Sequence, residues 1–169
     1  MPAWAVSTAA VLAVATVVRL GFSANSVAWA VVQVVLVYVA ADDFAHRRVR
    51  NVVTIPVAAA AVLLRAVFEP SALVEVVIAG LVVFVAFLVV AVVLRGGLGM
   101  GDVKLAGMLG FLLGWKVVPA IFVGAIAGGV VAAILLTRAS GRRSTMAYGP
   151  YLALGGAVVI LVSHPPALI

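Results

Sequence analysis

Apolar residues run almost unbroken along this chain, interrupted at short intervals by glycine, proline and a few charges. The long runs cover residues 3–20, 25–41, 52–68, 72–94, 117–137 and 146–163, with a shorter one at 104–114. About 20 such residues in a helix cross the core of a bilayer. The pattern therefore predicts an all-α protein, a polytopic transmembrane helix bundle of six to seven spans. The fifth run, closed by Trp115 and Lys116, is short enough to cross only part of the membrane. The first run, Ala3 to Val18, has the length of a signal peptide but no basic segment before it. Arg19 stands where a small-residue cleavage site belongs, so the run is read as a retained span. No linker rich in Pro, Gly or Ser divides the chain, and residues 1–169 are read as one domain.

Within the runs, Gln33 is expected to hydrogen-bond between helices. Pro56 and Pro119 fall near the starts of spans, where proline is tolerated. Gly124 and Gly128 form a G-x-x-x-G packing pair. Pro150 is expected to break or begin the last span, and His164 is read as a terminal loop residue.

Composition sharpens the membrane assignment. Apolar residues make up 67% and charged residues 9%, with a mean hydropathy of +1.37, which leaves too little polar material to coat a soluble domain. Cysteine is absent, which removes disulfides, a thiolate nucleophile and cysteine-type zinc ligation. The formal charge of +6 sits in short loops, a pattern of membrane orientation rather than of nucleic-acid binding. With seven spans and a cytoplasmic N-terminus, eight basic residues (Arg47, Arg48, Arg50, Arg95, Lys104, Arg138, Arg142 and Arg143) fall on the cytoplasmic side. Only Arg19, Arg65 and Lys116 fall opposite. That asymmetry obeys the positive-inside rule.

Candidate chemistry lies in two acidic sites. Asp102 stands in RGGLGMGDVKLAGMLGFLLG, residues 95–114, between a glycine-rich turn and an apolar run. A carboxylate entering hydrocarbon costs on the order of 3 kcal/mol, so such residues tend to be functional and paired. The glycines at 96, 97, 99 and 101 are expected to supply positive φ and close helix approach. Ala106 and Gly110, with Gly107 and Gly114, offer a smooth surface to a second helix. A plainer alternative makes Asp102 a helix cap. The second site is the loop ADDFAHRRVRN, with Asp42 and Asp43 at the end of the second run. Under the orientation above, both sites share one face of the membrane. Two carboxyl groups at one site cannot both ionise cheaply, and the pair then holds a single proton. One member can take a proton from water while the other polarises a carbonyl, which is peptide hydrolysis. The alternative is that both aspartates pair with Arg47 or Arg48 in a solvated loop.

GMGDVKL after its glycine-rich turn resembles the G-x-G-D signature of the prepilin peptidases, membrane aspartic proteases. DFAHRRVRN is similar to that family's first motif, an Asp, a basic stretch, then Asn eight positions on. Counting back from Asn51 selects Asp43 over Asp42. AYGPYLALGG is similar to the start of the family's last conserved helix, and the resemblance spans residues 25 to 163. Arg50 departs from the Pro that many members place before the Asn. The resemblance implies Asp43 and Asp102 as the catalytic pair, with Gly99, Gly101 and Asn51 shaping the turns and the substrate site. It implies no metal and no cofactor. Lys104, on the opposite side of the helix, is read as a snorkelling anchor. Larger members carry a cysteine-containing methylation domain, and the absence of cysteine here matches the short form. The implied partners are a pilin-like precursor with a basic leader, as substrate, and the lipid bilayer. The implied place is the plasma membrane, with the reacting carboxyls at the cytoplasmic face. Two other readings stand beside this one: a proton-coupled carrier subunit, or an inactive scaffold for pilus assembly.

Overall fold

The structure is a computed structural model. It describes residues 2–93, 98–138, 148–163 and 165–169, the side chains of 136–138 apart. Seven helices stand where the apolar runs predict them: α1 (Ala3–Leu20), α2 (Ala24–His46), α3 (Asn51–Phe68), α4 (Pro70–Val93), α5 (Met100–Leu113), α6 (Val117–Arg138) and α7 (Gly149–Val162). No strand occurs among the described residues. By length and composition α1, α2, α3 and α4 can each cross a membrane, as can the apolar stretch Met100–Leu135; α7 is shorter. The His164, Gly96 and Gly97 assignments, and the loop with Arg142 and Arg143, lie outside the described residues.

The termini of the helices have local causes. Ser23 opens α2 by accepting from the Ser26 N–H, and the Ser26 hydroxyl accepts from the Ser23 N–H in return. Arg47 ends α2 in the left-handed region at φ 52°. Pro150 sits at the start of α7, as expected, while Pro56 falls inside α3, five residues past its first residue. Gly114 closes α5 at φ 59°, and a single 3₁₀ turn, Gly114–Lys116, leads into α6. α6 runs back antiparallel to α5, because Gly156 of α7 lies on Leu109 of α5 while Gly128 of α6 lies beside Tyr148 at the start of α7.

Packing runs through small residues, as in membrane bundles generally. A Cβ on Gly110 would lie 2.7 Å from the Gly80 Cα, so α5 and α4 touch backbone to backbone. Gly107 meets Phe84 and Gly114 meets Glu75 and Val76, so the predicted smooth surface of α5 faces α4. Gly124 packs on the Tyr151–Leu152 backbone and Gly155 on Ala120, which locks α6 to α7. Outside this core, valines such as Val14, Val18, Val67 and Val85 are exposed, the outward apolar face a bilayer requires.

Buried polar groups tie the helices at depth. Gln33 donates to Thr16 Oγ1 (3.4 Å) and to the Ala157 carbonyl (3.1 Å), the interhelical bonds expected of it. Arg65, fully buried, donates to the Leu112 carbonyl at the end of α5 (2.8 Å). The alternation of helices gathers the C-terminal end of α2 and the N-terminal ends of α3, α5 and α7 at one end of the bundle. Arg19, Asn25, Val162 and Leu168 meet at the other, where Arg19 donates to the Val162 carbonyl and Leu168 N–H to Asn25 Oδ1.

The α4–α5 contact has no room for a side chain. Gly110→Val should lower the thermal unfolding midpoint in detergent clearly, by the equivalent of about 1–3 kcal/mol or more. Gly129→Val, on open surface with nothing within 4 Å of its Cβ, should leave the midpoint unchanged.

Candidate functional site

The site is built from the ends of three helices. α2 carries Asp43 in its last turn, α5 carries Asp102 in its first, and α7 begins at Gly149. Both carboxylates are buried, Asp43 at 5% and Asp102 at 7% exposure. They converge on one point: the Cβ position of Gly149 is 2.5 Å from Asp43 Oδ2 and 3.5 Å from Asp102 Oδ1. The two carboxylates thus flank the same point of the α7 backbone. The Gly149 backbone N–H lies beside both, while Asp43 Oδ2 is buried with no hydrogen-bond partner among the described residues. Glycine is required at 149, because any side chain would occupy the space between the two carboxylates.

Asp102 is also held from its own helix. Its Oδ2 accepts from the Gly99 N–H at 3.2 Å, the reach-back bond of a third helical residue to the residue before the helix. The capping alternative thus describes one oxygen of Asp102, and the other faces Asp43 and Gly149. Gly99 has φ −75° and Gly101 lies inside α5, so neither supplies the positive φ expected of it. Their use is space instead. A Cβ on Gly99 would press on Asp102 Oδ2 at 3.2 Å, and one on Gly101 would meet Val49 Cβ at 3.0 Å.

Asp42 turns away from this centre. It accepts from Arg50 Nε at 2.8 Å and Nη2 at 3.3 Å, and lies 2.9 Å from His46 Nδ1. Among the described contacts its partners are Arg50 and His46. Arg50 has a structural task here: it ties the loop before α3 back to Asp42 in the last turns of α2. Asn51 and Lys104 form a brace between α3 and α5, with Lys104 Nζ donating to Asn51 Oδ1 at 2.8 Å. The anchor residue of the sequence thus holds the start of α3.

Two residues of the site were not singled out by the sequence. Gly149 is one. Tyr148 is the other: burial, reinforced by the nearby Asp102 carboxylate, pushes its phenol up from the ordinary value, so it stays neutral. The signal was the stretch AYGPYLALGG, which sequence alone ties to a helix start and not to the aspartates. Among the described residues no group of three or more His, Cys, Asp or Glu gathers as metal ligands.

The sequence pattern of the type IV leader peptidase family matches residues 30–135, which contain Asp43, Asn51, Gly99, Gly101 and Asp102. The chain belongs to that family. Curated relatives include a prepilin leader peptidase/N-methyltransferase of Burkholderia pseudomallei (strain 1026b), 38% identical over 76 residues, 43% of this chain and 25% of the relative. The protein of that name from Bacillus subtilis (strain 168) is 35% identical over 83 residues, 46% of this chain and 32% of the relative. That from Escherichia coli (strain K12) is 40% identical over 65 residues, 38% and 29% of the two. The matched stretch thus spans about a quarter to a third of each relative's length. No solved structure matches the chain. With its long apolar helices, this leader peptidase family member is a multi-pass membrane protein.

The convergence of α2 and α5 is open to a test that does not depend on activity. The chain has no native cysteine, so cysteine pairs report distance cleanly. Asp43→Cys with Asp102→Cys should cross-link within the chain with a short bifunctional thiol reagent. Asp42→Cys with Asp102→Cys should not, because Asp42 lies roughly 100° around α2 from Asp43. Equal cross-linking of both pairs would contradict the geometry.

Proposed function

We propose that this chain is an aspartic endopeptidase that removes the basic leader of a pilin-like precursor at the cytoplasmic face of the membrane. The observation that carries the reading is that Asp43 and Asp102, both buried, lie on either side of the Gly149 backbone. Membership of the leader peptidase family supports the reaction class, and the names of the relatives support the substrate. The distribution of Lys and Arg supports the cytoplasmic face.

In this reading the dyad holds one proton between two carboxyl groups. The ionised member accepts a proton from a water lying between them. The oxygen of that water forms a bond to the scissile carbonyl carbon while the protonated member donates its proton to the carbonyl oxygen. In the second step the tetrahedral centre collapses: the C–N bond breaks, the leaving nitrogen takes a proton from the carboxyl group that first received one, and one hydroxyl of the centre returns its proton to the other carboxylate, which restores the starting pair. Atoms and charges balance without a covalent enzyme intermediate. The Gly149 amide keeps the negative charge of the pair in place, as the N-terminus of α7 favours an anion. The Tyr148 phenol stands beside Asp102 as a neutral donor. Placement at the polar end of the bundle gives water a route to the pair, and an apolar precursor helix lying in the same bilayer can present its leader there.

The carrier alternative has less support. It needs ionisable groups along a path, and here Glu69, Glu75 and Arg65 cluster at the end of the bundle away from the dyad.

The test is precursor cleavage on inside-out membrane vesicles, whose exposed face is cytoplasmic. Asp43→Asn and Asp102→Asn should each reduce cleavage by at least about a thousandfold while the protein stays inserted, since neither amide can exchange the proton. Asp42→Asn should keep substantial activity. Activity surviving in Asp102→Asn would refute the mechanism, and cleavage confined to right-side-out vesicles would reverse the orientation.

A further inference from the structure

Beyond the dyad, α3 and α4 touch each other only sparsely, although both pack on α5. Between them lies a cavity of about 540 Å3, open to the side of the bundle, with α5 as its floor. Its walls are α3 from Thr54 to Leu63 and Phe84 of α4, and the floor runs from Lys104 to Phe111. The lining is apolar except for Thr54 and Lys104 at the end nearest the loops.

Three features identify what fits. The first is the position around α5. Gly107, Met108 and Phe111 turn to the side of α5 opposite Asp102, at roughly 100° per residue, so α5 itself separates the groove from the dyad. The second is length. Thr54 to Leu63 spans roughly 14 Å at 1.5 Å per residue, about half of a hydrocarbon core of about 30 Å, which is one leaflet. A lipid chain, one methylene wide, enters a cleft of this size lengthwise. The third is charge. Lys104 stands at the interfacial end and spends one of its three donors on Asn51 Oδ1, which leaves two for an anion.

We infer that the groove between α3 and α4 is a binding site for one anionic phospholipid, with an acyl chain along α5 and its phosphate on Lys104. The bound lipid fills the gap between α3 and α4 and adds a second partner to the Lys104–Asn51 brace. The inference stands independently of the peptidase reading, since it concerns the other side of α5.

The test is native mass spectrometry of the purified full chain, released from detergent after equilibration with phosphatidylglycerol or phosphatidylcholine. The wild type should retain one phosphatidylglycerol. Lys104→Gln should retain it about fivefold less, the worth of one basic residue at an anionic headgroup, with phosphatidylcholine retention unchanged. Ala59→Phe, which fills the exposed wall of the groove, should lose both lipids. The two substitutions act at different places, so a folding failure in one leaves the other to decide. Equal retention of both lipids by wild type and variants would mean surface lipid only and overturn the site. A photo-reactive group at Ile55 should form a lipid adduct in membranes; capture of a second copy of the chain, or of a precursor helix, would overturn it as well.

Discussion

Two carboxylates buried between helix ends are the constraint on which the rest of this structure depends. An isolated buried carboxylate is expensive, and a pair of them repels unless protons and donors are supplied. The fold supplies donors from backbone. The Gly99 N–H binds one oxygen of Asp102, and the first amide of α7 lies beside both side chains. Both donors come from helix N-termini, where unsatisfied amides and the helix dipole favour negative charge. Asp43, at the C-terminal end of α2, has no reach-back donor from its own helix, and its Oδ2 is buried without a hydrogen-bond partner among the described residues.

That arrangement requires three helices to bring their ends within a few ångströms, and small residues make it possible. Gly110 lets α5 lie against α4 at backbone distance, and Gly124 and Gly155 do the same for α6 and α7. Gly156 brings α7 onto Leu109 of α5. The polar anchors sit away from the site: Gln33 joins α2 to α1 and α7, and Arg65 holds the far end of α5. Position at the dyad is therefore set by packing along the length of each helix as much as by contacts at the dyad itself.

Much of this was legible in the sequence, for reasons that are physical. Hydrocarbon demands long apolar runs, so the helices were placed within a few residues. The eight-residue spacing to Asn51 selected Asp43, and the structure turns Asp43 inward and Asp42 out to Arg50 and His46. What stayed hidden depends on contacts distant in sequence. Gly149 lies more than a hundred residues from Asp43, and nothing local marks its amide as the one both carboxylates face. The Lys104–Asn51 brace and the burial of Arg65 are hidden for the same reason. Gly99 and Gly101 were expected to bend the backbone through positive φ. They instead clear space for Asp102 and Val49, a demand that only the folded neighbours reveal.

The central claim is that Asp43 and Asp102 act as one unit that holds a single proton. The most direct measurement is the pH dependence of single-turnover precursor cleavage by the membrane-reconstituted protein. The account predicts a rate that falls on both sides of an optimum, since gaining or losing one proton disables the pair; the two apparent constants belong to the dyad rather than to either residue. A rate that changes on one side only, or not at all, would contradict a shared proton and with it the mechanism.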